Sequence, residues 1–179
     1  MSEIVRRTFV NNGFDGALTM LGVLLGSFIA DIDNPIIVIK LGLATAIAVG
    51  VSGLTGAMFA ERAERRRQLK EMEKALHRSL KGTTYKKAYD FAILFTALVD
   101  GFSPFITSLI ILLPFFVLLP SQIELAYQTS ALIAMVVFFL LGAFLGKVSN
   151  DSMVMTGAKL VLAGLFCMLL IFLLEGLSV

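Results

Sequence analysis

The chain has 179 residues, 58% of them hydrophobic and only 16% charged, with a mean hydropathy of +0.89. Soluble domains are roughly 45–50% apolar and about 25% charged, so a water-soluble globular domain is excluded. A net charge of +2 gives no reason to expect nucleic acid as a partner, and the lone Cys167, inside an apolar run, excludes an internal disulfide.

A membrane-crossing helix needs about 20 mostly apolar residues, and five such runs are predicted. The first covers about Phe14 to Ala30. Arg6 and Arg7 before it imitate a signal peptide, but no Ala-x-Ala-like cleavage site follows and Asp15 interrupts the start of the run, so a retained helix is expected. At 100° per residue Asp15, Thr19, Gly22 and Gly26 fall on one narrow, small-and-polar face that contains a GxxxG packing signal. Asn11, Asn12 and Gly13 precede Asp15, so its carboxylate has two open readings: a cap on the first span, or a group on an ion path.

The second span is predicted from about Ile36 to Ala60, after a turn from Asp31 to Pro35, and places Thr45, Val49, Ser52 and Gly56 on one face. The stretch ERAERRRQLKEMEKALHRSLKG, 61 to 82, lacks proline and is rich in helix formers, so it should continue the second span as a helix that closes on Gly82. Glu61, Glu64 and Glu71 share a stripe about 80° wide, while Met72, Leu76, Leu69 and Leu80 form an apolar face beside it. Two readings are open here as well. Glu61 with Arg65 and Arg67 with Glu71 are i,i+4 pairs of a solvated helix; alternatively the three glutamates offer hard oxygen ligands to a divalent cation, with Met72 as a soft neighbour. His77 falls on the polar side and is expected at the surface.

The third span should start between Phe91 and Val99 and end near Leu119. On it Asp100, Pro104 and Thr107 share a face, with Ser103 at its edge. An intramembrane carboxylate normally faces a bundle interior or a water-filled path, and no Lys or Arg of the same span offers itself to Asp100, so a cation or a proton could supply the missing charge. The fourth span is predicted over about Ala126 to Leu145, with Gly142 and Gly146 in a second GxxxG signal, and the fifth over about Leu160 to Leu174. Asp15-Gly16 recurs as Asp100-Gly101, and Gly56-Ala57 as Gly142-Ala143, so spans one and two are echoed by three and four, as in transporters built from parallel repeats. The chain thus divides into 1–60 with two spans, a helical linker over 61–90, and 91–179 with three spans.

Fourteen of the 15 Lys and Arg residues precede the first span, lie in the linker, or fall between the fourth and fifth spans, all on one side. The positive-inside rule makes that side cytoplasmic, which puts the N-terminus and the linker inside and the C-terminus outside. Lys40, the exception, can snorkel to the opposite interface. The expected class is all-α: a polytopic membrane protein with five transmembrane helices and a cytoplasmic helical linker between the second and third.

The order of motifs is an Asp-Gly opening the first span, SGLTGAMFAERAE at 52 to 64, an acidic linker helix, LLPFF at 112 to 116, and GAFLGKVSNDSMVMTGAKLVLAG at 142 to 164. In this the chain resembles the vacuolar iron transporter family over nearly its whole length. The resemblance implies a homodimer of five-span subunits that moves Fe2+ or Mn2+ out of the cytosol in exchange for protons. It makes Asp15 the carboxylate of the translocation path and the linker glutamates a cytoplasmic metal-capturing site. Thr45 and Gly53 stand where the family pattern has a carboxylate and a methionine, and the linker is shorter.

The expected path residues are Asp15, Thr19, Thr45, Ser52, Asp100 and Thr107; the expected metal ligands are Asp15, Asp100, Glu61, Glu64, Glu71 and Met72. Divalent metal is the substrate, and no tightly bound cofactor is expected. One His, one Cys and no phosphate-binding Gly-rich loop point away from an enzyme. The alternative is a non-transporting membrane scaffold whose amphipathic linker, with ten basic residues, binds a partner protein or anionic lipid.

Overall fold

Side-chain caps mark where the second and third helices begin. In a computed structural model, residues 3–77, 79, 83–118 and 122–175 are described. They form α1 (Glu3–Ile29), α2 (Pro35–Leu76), α3 (Thr84–Val117), α4 (Ile123–Ser149) and α5 (Met153–Glu175). All five are long and apolar enough to cross a membrane.

α1 starts at Glu3, well before the predicted apolar boundary, so Asn11, Asn12 and Gly13 are helical. Asp15 is therefore about three turns inside the helix. Only the first turn has amides free to be capped, which removes the capping reading of Asp15.

α2 is opened by Asn34, in extended backbone, whose side chain accepts from the Ile36 amide at 3.0 Å, and by Pro35 at the first helical position. It then runs through Ala60 into the charged stretch with no break. Its 42 residues at 1.5 Å each make about 63 Å, roughly twice the hydrocarbon thickness of a bilayer, so a long end must project from the apolar zone. His77, exposed and left-handed with φ of 48°, closes α2. The expected stop at Gly82, like Leu80, lies outside the described residues.

α3 starts at Thr84, ahead of the apolar residues from Phe91 on where the third span is predicted to start, and the Thr83 side chain accepts from the Lys86 amide. The polar residues 84–90 join the helix because they return alongside the projecting part of α2. Polar helix outside the apolar zone carries no hydropathy signal.

α1 and α3 form the middle of the bundle, α2 packs on α3 and α1, and α5 packs chiefly on α4. Met20 and Leu21 of α1, Ile111 and Leu112 of α3 and Phe138 of α4 are fully buried in the shared core. Lipid cannot drive helices together by the hydrophobic effect, so close backbone approach and hydroxyl bonds do that work. Three hydroxyls of α3 donate to carbonyls of α1: Ser103 to Phe9 at 2.6 Å, Thr107 to Gly13 at 2.9 Å and Ser108 to Gly16 at 3.0 Å.

Glycines mark the crossings. A Cβ on Gly16 would lie 2.4 Å from Pro104 Cα, and one on Gly142 would lie 2.7 Å from Gly157 Cα. Gly16→Ala must push α1 off α3 and should destabilise the subunit by about 1–3 kcal/mol. Gly26→Ala meets none of the described residues within 4 Å and should carry no such cost. Thermal unfolding in detergent reads the contrast, and equal midpoints would refute the crossing geometry.

Candidate functional site

α1 has two unlike faces. Val10, Ala17, Met20, Leu21 and Leu24 are buried, whereas Asn11, Asp15, Thr19 and Gly26 are exposed in the single chain and Gly22 is half-buried. The Asp15 carboxylate, in the middle of an apolar helix, makes no ion pair among the described residues. One turn on, the Thr19 hydroxyl donates to the Asp15 backbone carbonyl at 2.7 Å. That bond uses the proton of the hydroxyl and leaves its oxygen lone pairs open beside the carboxylate. Gly26 on α1 and Gly56 on α2 face open space, since an added Cβ would meet nothing within 4 Å. Gly142 and Gly146 differ from these, because both press against α5.

Asp100 sits elsewhere, on the side of α3 that meets α1 and α2. Its Oδ1 is buried without a hydrogen-bond partner. Asn12 of α1 lies beside the carboxyl, and Glu61 of α2 is close enough to act on it electrostatically. Buried acceptors are nearly always satisfied, so this oxygen is free to take a partner that the described residues do not supply.

The backbone of Asp100 is also unusual. Pro104 has no N–H to give its carbonyl. That carbonyl turns toward α2, where a Cβ on Gly53 would lie 2.5 Å from its oxygen. Gly53 therefore has no room for a side chain unless α2 and α3 move apart.

The other predicted path residues divide. Ser52 is exposed and Thr45 half-buried on α2. Thr107 is 5% exposed and its hydroxyl is spent on the Gly13 carbonyl, which seals it into the α1–α3 seam rather than beside Asp15. On the projecting part of α2, Glu61 pairs with Arg65 at 2.9 Å and Glu71 with Arg67 at 3.2 Å, while Glu64 accepts from Gln68 at 3.1 Å; Met72 is half-buried. Among the described residues no three His, Cys, Asp or Glu side chains converge to hold a metal. A single chain thus presents Asp15, the corner of Asp100, Asn12 and Glu61, and the linker glutamates Glu64 and Glu71 without bringing three acidic side chains together.

Asn12 is the residue that the sequence reading misses. It stands three residues before Asp15, a helical spacing, and it is hidden by the expectation that helix begins only at Phe14.

No family model matches the chain. Over 173 residues it is 34% identical to the uncharacterized protein MJ0645 of Methanocaldococcus jannaschii, a match that spans 94% of this chain and 87% of that protein. The chain belongs to the family of that protein. The match takes in most of either chain rather than one segment. Membership brings no activity with it, so the chemistry rests on the side chains.

Proposed function

We propose that the chain acts as a homodimer that carries a divalent cation, Fe2+ or Mn2+, out of the cytosol in exchange for protons, with the outward faces of α1 closing on each other around Asp15. The observation that carries this reading is Asp15 itself, mid-helix and outward-facing, on one stripe with Gly26, about three turns on, where an added Cβ would meet none of the described residues within 4 Å. A charged side chain at the bilayer centre costs about 2.5–3.5 kcal/mol on insertion scales. A second copy laid over the stripe takes that carboxylate out of lipid. Two carboxylates brought together repel, and a cation between them removes the repulsion. Carboxylate and hydroxyl oxygens suit hard divalent ions. When the cation leaves, protons can take over the charge, which couples the two movements.

Asp100, with its open Oδ1, Asn12 and Glu61, forms the next station. Glu61, Glu64 and Glu71, with Met72, collect cation at the cytoplasmic end of α2. The asymmetry of basic residues supports the N-terminus and this end of α2 as cytoplasmic, with the C-terminus opposite. On a Cys167→Ser background, a cysteine at Gln122 should react with an impermeant thiol reagent from outside and one at Ser79 should not; the opposite pattern overturns the orientation.

Transport is tested with liposomes holding a metal-quenched dye. Added Mn2+ should quench the dye only where the protein is present, and equal quenching in protein-free liposomes contradicts the proposal. The linker is tested by changing all three glutamates to Gln. Their i,i+4 pairs are worth only about 0.3–0.5 kcal/mol each, so the fold should survive. Mn2+ affinity by calorimetry should fall roughly tenfold or more. An unchanged affinity would leave these glutamates as a solvated, salt-bridged face.

A further inference from the structure

The projecting part of α2 and the first turns of α3 enclose a cavity of about 430 Å³ whose walls carry Arg62, Arg65, Arg66 and Lys86. One carboxylate, Asp90, shares the lining and lies 3.7 Å from the Lys86 ammonium. Arg65 is committed, bonded to Glu61 at 2.9 Å and held 5.6 Å over the Tyr89 ring. Arg62 and Arg66 are exposed and make no ion pair among the described residues. They are four residues apart on one helix face, where like charges repel. The cavity therefore has cationic walls with two guanidiniums left over, an arrangement that an anion seated between them would relieve. Planar guanidinium forks match phosphate oxygens in pairs.

The position of the cavity narrows the source of that anion. Arg62 stands just past the last apolar residues of the second span, and the cavity floor is apolar, with Met58 and Leu94. Ile47, Val51, Leu54, Met58, Arg62 and Arg65 recur at helical spacing along one stripe of α2. Farther down that stripe, Val51 and Leu54 with Phe102 and Phe105 of α3 line a second, nearly all-apolar groove of about 250 Å³. From Arg62 to Val51 is about 16 Å along the helix, close to the thickness of one hydrocarbon leaflet. A soluble anion has no use for such a groove.

We infer that the α2–α3 seam binds an anionic phospholipid, its phosphate between Arg62 and Arg66 and one acyl chain in the groove below. This site depends neither on the metal path nor on the transport reading.

Native mass spectrometry of the full-length protein in detergent tests it. One phosphatidylglycerol per chain should be retained, bound at least roughly tenfold more tightly than phosphatidylcholine. Basic residues at a membrane surface contribute about 1 kcal/mol each, so Arg62→Gln/Arg66→Gln should lose roughly tenfold or more of that affinity. Lys70→Gln/Lys74→Gln removes the same charge from the same helix outside the cavity and should change it less than about twofold. Inorganic phosphate titrated alone should bind at least roughly tenfold more weakly than the lipid. Equal loss from both double variants, equal retention of phosphatidylcholine, or phosphate binding as tight as lipid would each overturn the site. If the arginine pair fails to fold, Arg62→Gln alone gives the same reading against Lys70→Gln.

Discussion

Asp15→Asn protein should assemble as the wild type does and lose about a hundredfold of its Mn2+ flux, the upper end of what is lost when even an outer partner of a metal ligand is removed. Asparagine keeps the size of the side chain and one acceptor oxygen but cannot carry the charge that pairs with a cation. Because Asp15 is in the interior of α1, no helix cap is altered by the change, and because it is exposed in the single chain, no core contact is lost. Asp100→Asn should act in the same direction with a smaller effect, since the amide still fits beside Asn12 while its charge toward the cation is gone. Flux is read in liposomes and assembly by light scattering. Flux near wild type from Asp15→Asn would remove that residue from the path and leave Asp100 to carry it.

Gly26→Leu should convert the dimer to monomer while the subunit stays folded. Among the described residues nothing lies within 4 Å of a Cβ at this position, so a larger side chain there meets what a partner brings. Small residues let transmembrane helices approach closely, and leucine there forces them apart. Gly22 is a less discriminating site, because Ile171 of α5 already lies 4.0 Å from its added Cβ. Light scattering in detergent should give half the wild-type mass, with the helical circular dichroism of the wild type retained. A dimer that tolerates the Gly26→Leu substitution would place the interface on another face, and the role given to the Asp15 stripe would fail with it.

Apolar run length makes the five spans legible in the sequence, because a bilayer demands about 20 apolar residues wherever a helix crosses it. Helix ends are legible only where a cap announces them, as Asn34 and Pro35 do for α2. Residues 3–13 and 84–90 are largely polar, and hydropathy is silent about whether polar residues are helical. The i,i+4 pairs of the linker are legible because one helix contains both partners: Glu61 with Arg65 and Arg67 with Glu71 form as spacing predicts. Periodicity likewise puts Thr107 on a face with Asp100 and Pro104. Which helix meets that face is a tertiary fact, and the Gly13 carbonyl that takes the Thr107 hydroxyl lies 94 residues away in sequence. The neighbours of Asp100 are hidden for the same reason, since Asn12 and Glu61 come from two other helices. The exposed stripe of α1 is legible as small and polar; that nothing among the described residues covers it is visible only in the fold.

Exchange of cation for protons at Asp15 and Asp100 is read in a single experiment, with a metal-sensitive and a pH-sensitive dye in the same liposomes. With an acidic interior and Mn2+ set at equal concentration on both sides, Mn2+ should accumulate inside against the gradient it builds while the interior turns alkaline, and collapsing the pH gradient should stop both signals together. Mn2+ entry that ignores the pH gradient, or no entry at all, would rule the exchange out.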